Sequence, residues 1–127
     1  MLKPSLTSSL ILTAATLVAT GCAREAVVSY SAQVKPILDE NCLACHVAGG
    51  EGFEASGFSM ETYEDLMQGT EYGAMVVPGD PLGSNLLVLM EGRADPSISM
   101  PHGGGEPVPE TEIEIIRAWI SQGAENN

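Results

Sequence analysis

Two of the chain's three cysteines and one of its two histidines fall within five consecutive positions, as Cys42, Cys45 and His46 in DENCLACHVAGG. Cys-x-x-Cys-His is the spacing of covalent haem attachment. Two thiols three residues apart on a helical turn can reach the two vinyl groups on one edge of a porphyrin. The next residue, His46, then lies beneath the ring, where a neutral imidazole nitrogen can ligate iron. Covalent bonds suit a domain too small to enclose a large cofactor. Three other chemistries compete for the same residues. A structural zinc site would join Cys42, Cys45 and His46 to the distant His102, although such sites usually lack a histidine directly after the second cysteine. A thioredoxin-like thiol pair needs a βαβ setting. The third is a plain disulfide.

A haem iron takes its other axial ligand from His, Met, Cys or Tyr, or keeps that position open. Five methionines follow the N-terminal segment: Met60, Met67, Met75, Met90 and Met100. Met67 and Met90 lie in helical patterns and read as core. Met60 reads as filler beside an apolar patch. Met75, in EYGAMVVPG, lies in an irregular stretch and stays a candidate. Met100 has the best context, in the Gly/Pro-rich stretch 92–109 with Pro101 directly after it to stiffen the backbone. The reading is therefore a haem iron held by His46 and Met100, with His102 or an open position as alternatives.

The elements that position these residues read as helices. Tyr30, Val34, Ile37 and Leu38 share one helical face, with Ser31 as the expected cap and Pro36 as either a kink or the helix start. HVAGGEGFEASGFS reads as a loop. TYEDLMQG reads as a short helix with Thr62 and Asp65 as a capping box and Gly69 as terminator. A further helix is expected from Asp80 and Pro81, with Leu86, Leu87, Leu89 and Met90 on its apolar side and Gly92 at its end. Ile113, Ile116, Trp119 and Ile120 mark the clearest helix, with Glu110, Glu112 and Glu114 near its N-terminus and Gly123 closing it. Trp119 reads as core or as a partner for a haem propionate; Arg93 is another propionate candidate. The fold class is all-α, with about four helices, long Gly/Pro-rich loops and no internal repeat.

Residues 1–21 have one positive residue, Lys3, then an apolar stretch, then small residues, which is the layout of a secretory signal. Val-Ala-Thr-Gly-Cys at its end resembles a lipobox, which makes Cys22 the expected lipidation site. This divides the chain into a lipoprotein signal peptide at 1–21, a lipidated tether at 22–30 and a single domain at 31–127. With Cys22 acylated, no thiol is left over. Export places the domain on the periplasmic side of a bacterial membrane or at the cell surface. The formal net charge of −12 argues against nucleic acid as a partner, since phosphate binding needs Lys and Arg. It argues for redox partner proteins with basic docking patches.

The ordered set VKPILDENCLACH, TYEDLMQG, VVPGDPLGSNLLVLMEG, MPHGGG and EIEIIRAWISQGA resembles the single-haem class I cytochromes c, most closely the planctomycete-type cytochrome c domain. The resemblance covers nearly all of residues 30–124. It implies a cytochrome c fold whose first and last helices cross near one covalently attached haem c. It implies Cys42 and Cys45 as thioether attachment points, His46 as proximal ligand and Met100 as distal ligand. It also implies an electron carrier with filled axial positions, not an enzyme. Two other roles remain: a haem-bearing subunit of a larger oxidoreductase, and a haem sensor with a labile sixth ligand. The sequence departs from the family pattern at Pro109, where the last helix often has a serine cap.

Overall fold

Proline at position 36 dictates how the first helix begins. The computed structural model describes residues 25–127, so the expected signal peptide 1–21 and lipidation site Cys22 lie outside the described residues. Helix α1 spans Lys35–Asn41, with Pro36 inside its first turn, where a missing N–H costs nothing. A π-helical turn, Tyr30–Val34, leads into it. The N–H groups of Val34 and Lys35 reach five residues back, to the carbonyls of Ser29 and Tyr30. The cap of this turn is Ser29, not Ser31: Ser29 Oγ accepts from the Ala32 N–H at 3.2 Å.

The expected loop after the cysteine motif contains a helix, α2, Glu51–Ser56. Gly52 depresses its propensity, and it fully buries no side chain, so neither propensity nor periodicity marks it. Glu51 and Glu54 complement the positive end of its dipole, and Gly57, at φ +68, ends it. Helix α3, Tyr63–Gln68, has the expected capping box between Thr62 and Asp65 and ends at Gly69.

Helix α4 spans Asn85–Met90 and starts later than Asp80 suggested. The Asp80 carboxylate accepts from the Gly83 N–H at 2.9 Å and so shapes a turn instead. Ser84, fully buried, accepts from the Val77 N–H and donates to the Asp80 carbonyl, locking that turn against the helix start. Gly92 ends α4: its N–H reaches the Leu89 carbonyl while the Arg93 N–H reaches that of Val88. Helix α5 spans Glu110–Ser121 and begins after Pro109 without a side-chain cap. Gly123 and Ala124 close it in the same way as Gly92 and Arg93 close α4.

Five α-helices thus stand where about four were expected, and the described residues contain no strand beyond one isolated bridge, Thr70–Gly73. The all-α expectation is met. The predicted stripes form the core: Tyr30, Val34, Ile37 and Leu38 meet Leu86, Leu87 and Met90 of α4 and Ile113, Ile116, Trp119 and Ile120 of α5. No described helix is long and apolar enough to cross a membrane.

The segment of the π-helical turn and α1 meets α5 and the residues after it at two places. At the cysteine end, Asn41 Nδ2 donates to Glu112 Oε2 at 3.0 Å. At the other end, the Tyr30 N–H donates to Asn127 Oδ1 at 2.7 Å, and Ser31 donates through its backbone N–H and its hydroxyl to the Asn127 backbone oxygen. The described part of the expected tether 22–30 is bound here too. Gln122 accepts from the Val28 N–H at 2.8 Å and donates to the Ala26 carbonyl at 3.1 Å. The amide side chains of Gln122 and Asn127 therefore clamp an extended backbone segment to the domain.

Candidate functional site

The motif forms as the chain leaves α1. Cys42 N–H still bonds the Leu38 carbonyl at 2.9 Å, and the Cys42 carbonyl then accepts from both Cys45 and His46, at 3.1 and 3.0 Å. This tight turn puts both thiols and the imidazole on consecutive bends of one short segment. Both thiols are free, with Cys42 half-buried and Cys45 exposed. Burial pushes the Cys42 thiol up to about 11, and the negative charge available at Cys45 and Glu112 adds to it. A redox-active thiol has the opposite shift, toward the thiolate. The thioredoxin-like reading fails on fold, since the described residues contain no βαβ unit.

His46 is 8 % exposed. Its Nδ1 lies 3.2 Å from the Phe58 carbonyl oxygen. A carbonyl only accepts, so Nδ1 must be the donor in this contact, the arrangement that leaves Nε2 for a metal. Among the described residues no hydrogen bond engages Nε2. The Phe58 ring meets the imidazole edge-on, centroids 5.4 Å apart. The backbone around it is equally fixed: the Met60 N–H donates to the His46 carbonyl at 2.8 Å and the Phe53 N–H to that of Cys45 at 3.0 Å. Two free thiols followed by a buried, oriented imidazole with an unused lone pair fit a covalently attached haem. They fit zinc poorly: His102 is exposed in a short 3₁₀ turn, His102–Gly104, and no three His, Cys, Asp or Glu gather into a metal cluster among the described residues.

Met100 is half-buried and held from α4, its N–H donating to the Leu89 carbonyl at 3.2 Å. The stretch before it is ordered by Asp95, whose carboxylate accepts from the Ser97 N–H and hydroxyl at 2.9 and 2.7 Å. Those bonds hold the Asp95 carboxyl below its ordinary range. Met75, the other methionine candidate, belongs to the hydrophobic core, with its carbonyl on the Leu86 N–H.

The propionate candidates are engaged elsewhere. Trp119 is 1 % exposed and its indole N–H donates to the Glu125 carbonyl at 2.9 Å, so it is core. Arg93 pairs with Glu91, which also takes Arg117 Nη1 at 2.6 Å. Burial works against the Arg117 charge, but Glu91 and Glu114 outweigh it and raise its pKa. Lys35 pairs with Asp39. All three described cations are thus paired, which leaves a surface dominated by unpaired carboxylates. Two contributors escaped the sequence: Phe58, acting through its carbonyl, and Gly52, which lies against the imidazole ring. A backbone acceptor has no signature in side-chain type; the glycine was legible only as a loop former.

Residues 42–103 match the family model described as Planctomycete cytochrome C. No curated protein and no solved structure matches the chain.

Proposed function

From the match of residues 42–103 to the Planctomycete cytochrome C family model, we propose that the chain is a monohaem c-type cytochrome, an electron carrier on the periplasmic side of a membrane or at the cell surface. The observation that carries the reading is the His46 ring, buried and pinned through Nδ1 with Nε2 free, directly after two free thiols. Bound haem supplies one-electron chemistry between ferric and ferrous iron. Cys42 and Cys45 would hold it through thioethers, and His46 would ligate the iron through Nε2. Met100 would fill the opposite position, which raises the potential relative to two histidines and excludes substrate. The carboxylate-rich surface favours partners with basic docking patches, with association weakened by salt. Cys22, by its lipobox-like context, would confine the carrier to a membrane.

The test is the visible spectrum of the oxidised and reduced full chain and of Met100→Ala. The expected result is one haem per chain that stays attached on denaturation, with a weak iron–methionine charge-transfer band that Met100→Ala abolishes. An unchanged spectrum in Met100→Ala removes Met100 from the iron. Cys22→Ala should release the protein from membranes; retention there removes the lipid anchor.

A further inference from the structure

Helix α2 lies against the motif it follows, yet none of its side chains is fully buried and only Phe53 and Ser56 are half-buried. Its recorded contacts with the motif are made by backbone. The Phe53 N–H reaches the Cys45 carbonyl, and the Ser56 hydroxyl folds back on the Gly52 carbonyl at 2.7 Å. A methyl group at Gly50 would stand 2.5 Å from the Cys45 carbonyl oxygen. A methyl group at Gly52 would stand 2.7 Å from His46 Cε1 and 2.9 Å from both ring nitrogens. Carbon against a ring atom at rest needs about 3.5 Å or more.

Gly52 is not among the glycines with positive φ, so conformational freedom does not account for it. Within a helix, alanine is preferred over glycine. What accounts for the missing side chain is the imidazole. The ring is then bounded by the Phe58 carbonyl at Nδ1, the edge of the Phe58 ring and the backbone of Gly52.

We infer that Gly52 is a positioning residue for His46: its bare backbone is the wall against which the imidazole is set, and it fixes the direction of the Nε2 lone pair. The inference rests on the reading of His46 as an iron ligand. Any side chain at position 52 must turn the ring away from the Phe58 carbonyl or lift α2 off the motif.

The test uses the haem-loaded full chain and compares Gly52→Ala with Gly57→Ala. Gly57, at φ +68, has nothing within 4 Å of where a methyl would stand, so Gly57→Ala strains the end of α2 without touching the ring. The readouts are the ferric electron paramagnetic resonance g-values, the paramagnetically shifted His46 ring resonances and the reduction potential. Gly52→Ala should shift all three; Gly57→Ala should lower the thermal midpoint and leave them at wild-type values. An unchanged signature in Gly52→Ala, or the same shift in both variants, overturns the inference. A second measurement needs no variant: the reduced wild type should show a nuclear Overhauser contact between the Gly52 Hα protons and the His46 ring, and its absence also overturns the inference. A wild-type spectrum without histidine ligation would instead remove the premise.

Discussion

The two places where residues 30–41 meet α5 and the C-terminal residues are finished differently. Where residues 26–30 meet the C-terminal segment, Tyr30, Tyr63 and Trp119 form one aromatic cluster, with ring centroids 5.1 to 6.5 Å apart. Trp119 and Tyr63 donate to carbonyls of the C-terminal segment, and the Gln122 and Asn127 amides clamp residues 26–30. At the cysteine end a single side-chain bond, Asn41 to Glu112, joins the two helices, and the groups beside it are left free: two thiols and one imidazole nitrogen. A domain of this size has a small core and little surplus stability. The terminal end concentrates apolar burial and, apart from the Tyr30 hydroxyl, satisfied polar groups, whereas the cysteine end keeps two thiols and an imidazole nitrogen unpartnered.

The strongest way to break this contrast is at Trp119. Trp119→Ala removes the largest fully buried side chain of the aromatic cluster and should destabilise the protein by about 3–5 kcal/mol. Chemical denaturation measures the loss. The haem spectrum of the remaining folded protein should match wild type; a changed spectrum would put Trp119 at the site and merge the two ends.

Tyr30 supplies the next largest effect. Its hydroxyl is buried with no hydrogen-bond partner among the described residues. Burial, helped by Asp39 and Glu64, pushes its pKa up to about 12. The folded chain therefore keeps this proton after the unfolded chain, titrating near pH 10, has lost it. Tyr30's share of stability is intact below about pH 10 and lost as pH rises to about 12, a loss on the order of 2 kcal/mol. Thermal melts on both sides of that window should show Tyr30→Phe escaping the alkaline loss. Near neutral pH Tyr30→Phe should be at least as stable as wild type, because no bond is removed.

The two ends also differed in how far the sequence revealed them. The buried stripes of α1, α4 and α5 were legible because apolar spacing at 3.6 residues depends only on side-chain type. Cys42, Cys45 and His46 stand out in sequence because of their spacing, and the capping box at Thr62 was legible because both partners are local. The clamp was not, since Gln122 and Asn127 are ordinary surface residues until a distant backbone segment meets them. Helix α2 was hidden because glycine signals flexibility in sequence, whereas Gly52 makes room for a ring. Asp80 misled for a related reason: the same carboxylate that caps helices also closes turns, and buried Ser84 decided for the turn.

Asn127 measures what the clamp contributes. Its side chain accepts from the Tyr30 N–H at 2.7 Å and donates to the Val28 carbonyl at 3.3 Å. Asn127→Ala should cost about 1 kcal/mol and speed hydrogen exchange at the Tyr30 amide, while leaving the reduction potential unchanged. A shifted potential would mean that the terminal end reports to the site.

The smallest effect belongs at the cysteine end, where the bond between the helices is single and half-exposed. Both N–H groups of the Asn41 amide are used, on the Ile37 carbonyl at 2.9 Å and on Glu112 Oε2 at 3.0 Å. Glu112→Gln keeps an acceptor oxygen in place, so Asn41 need not be left unpaired. What it removes is charge: the stronger acceptor, and a carboxylate in the first turn of α5 that complements the helix dipole. The expected cost is therefore about 0.5 kcal/mol, shrinking as salt screens the dipole. Denaturation at low and high ionic strength checks both parts. A loss as large as that of Asn127→Ala, insensitive to salt, would show that the helices are joined as firmly beside the cysteines as at the termini, and the contrast between the ends would not stand.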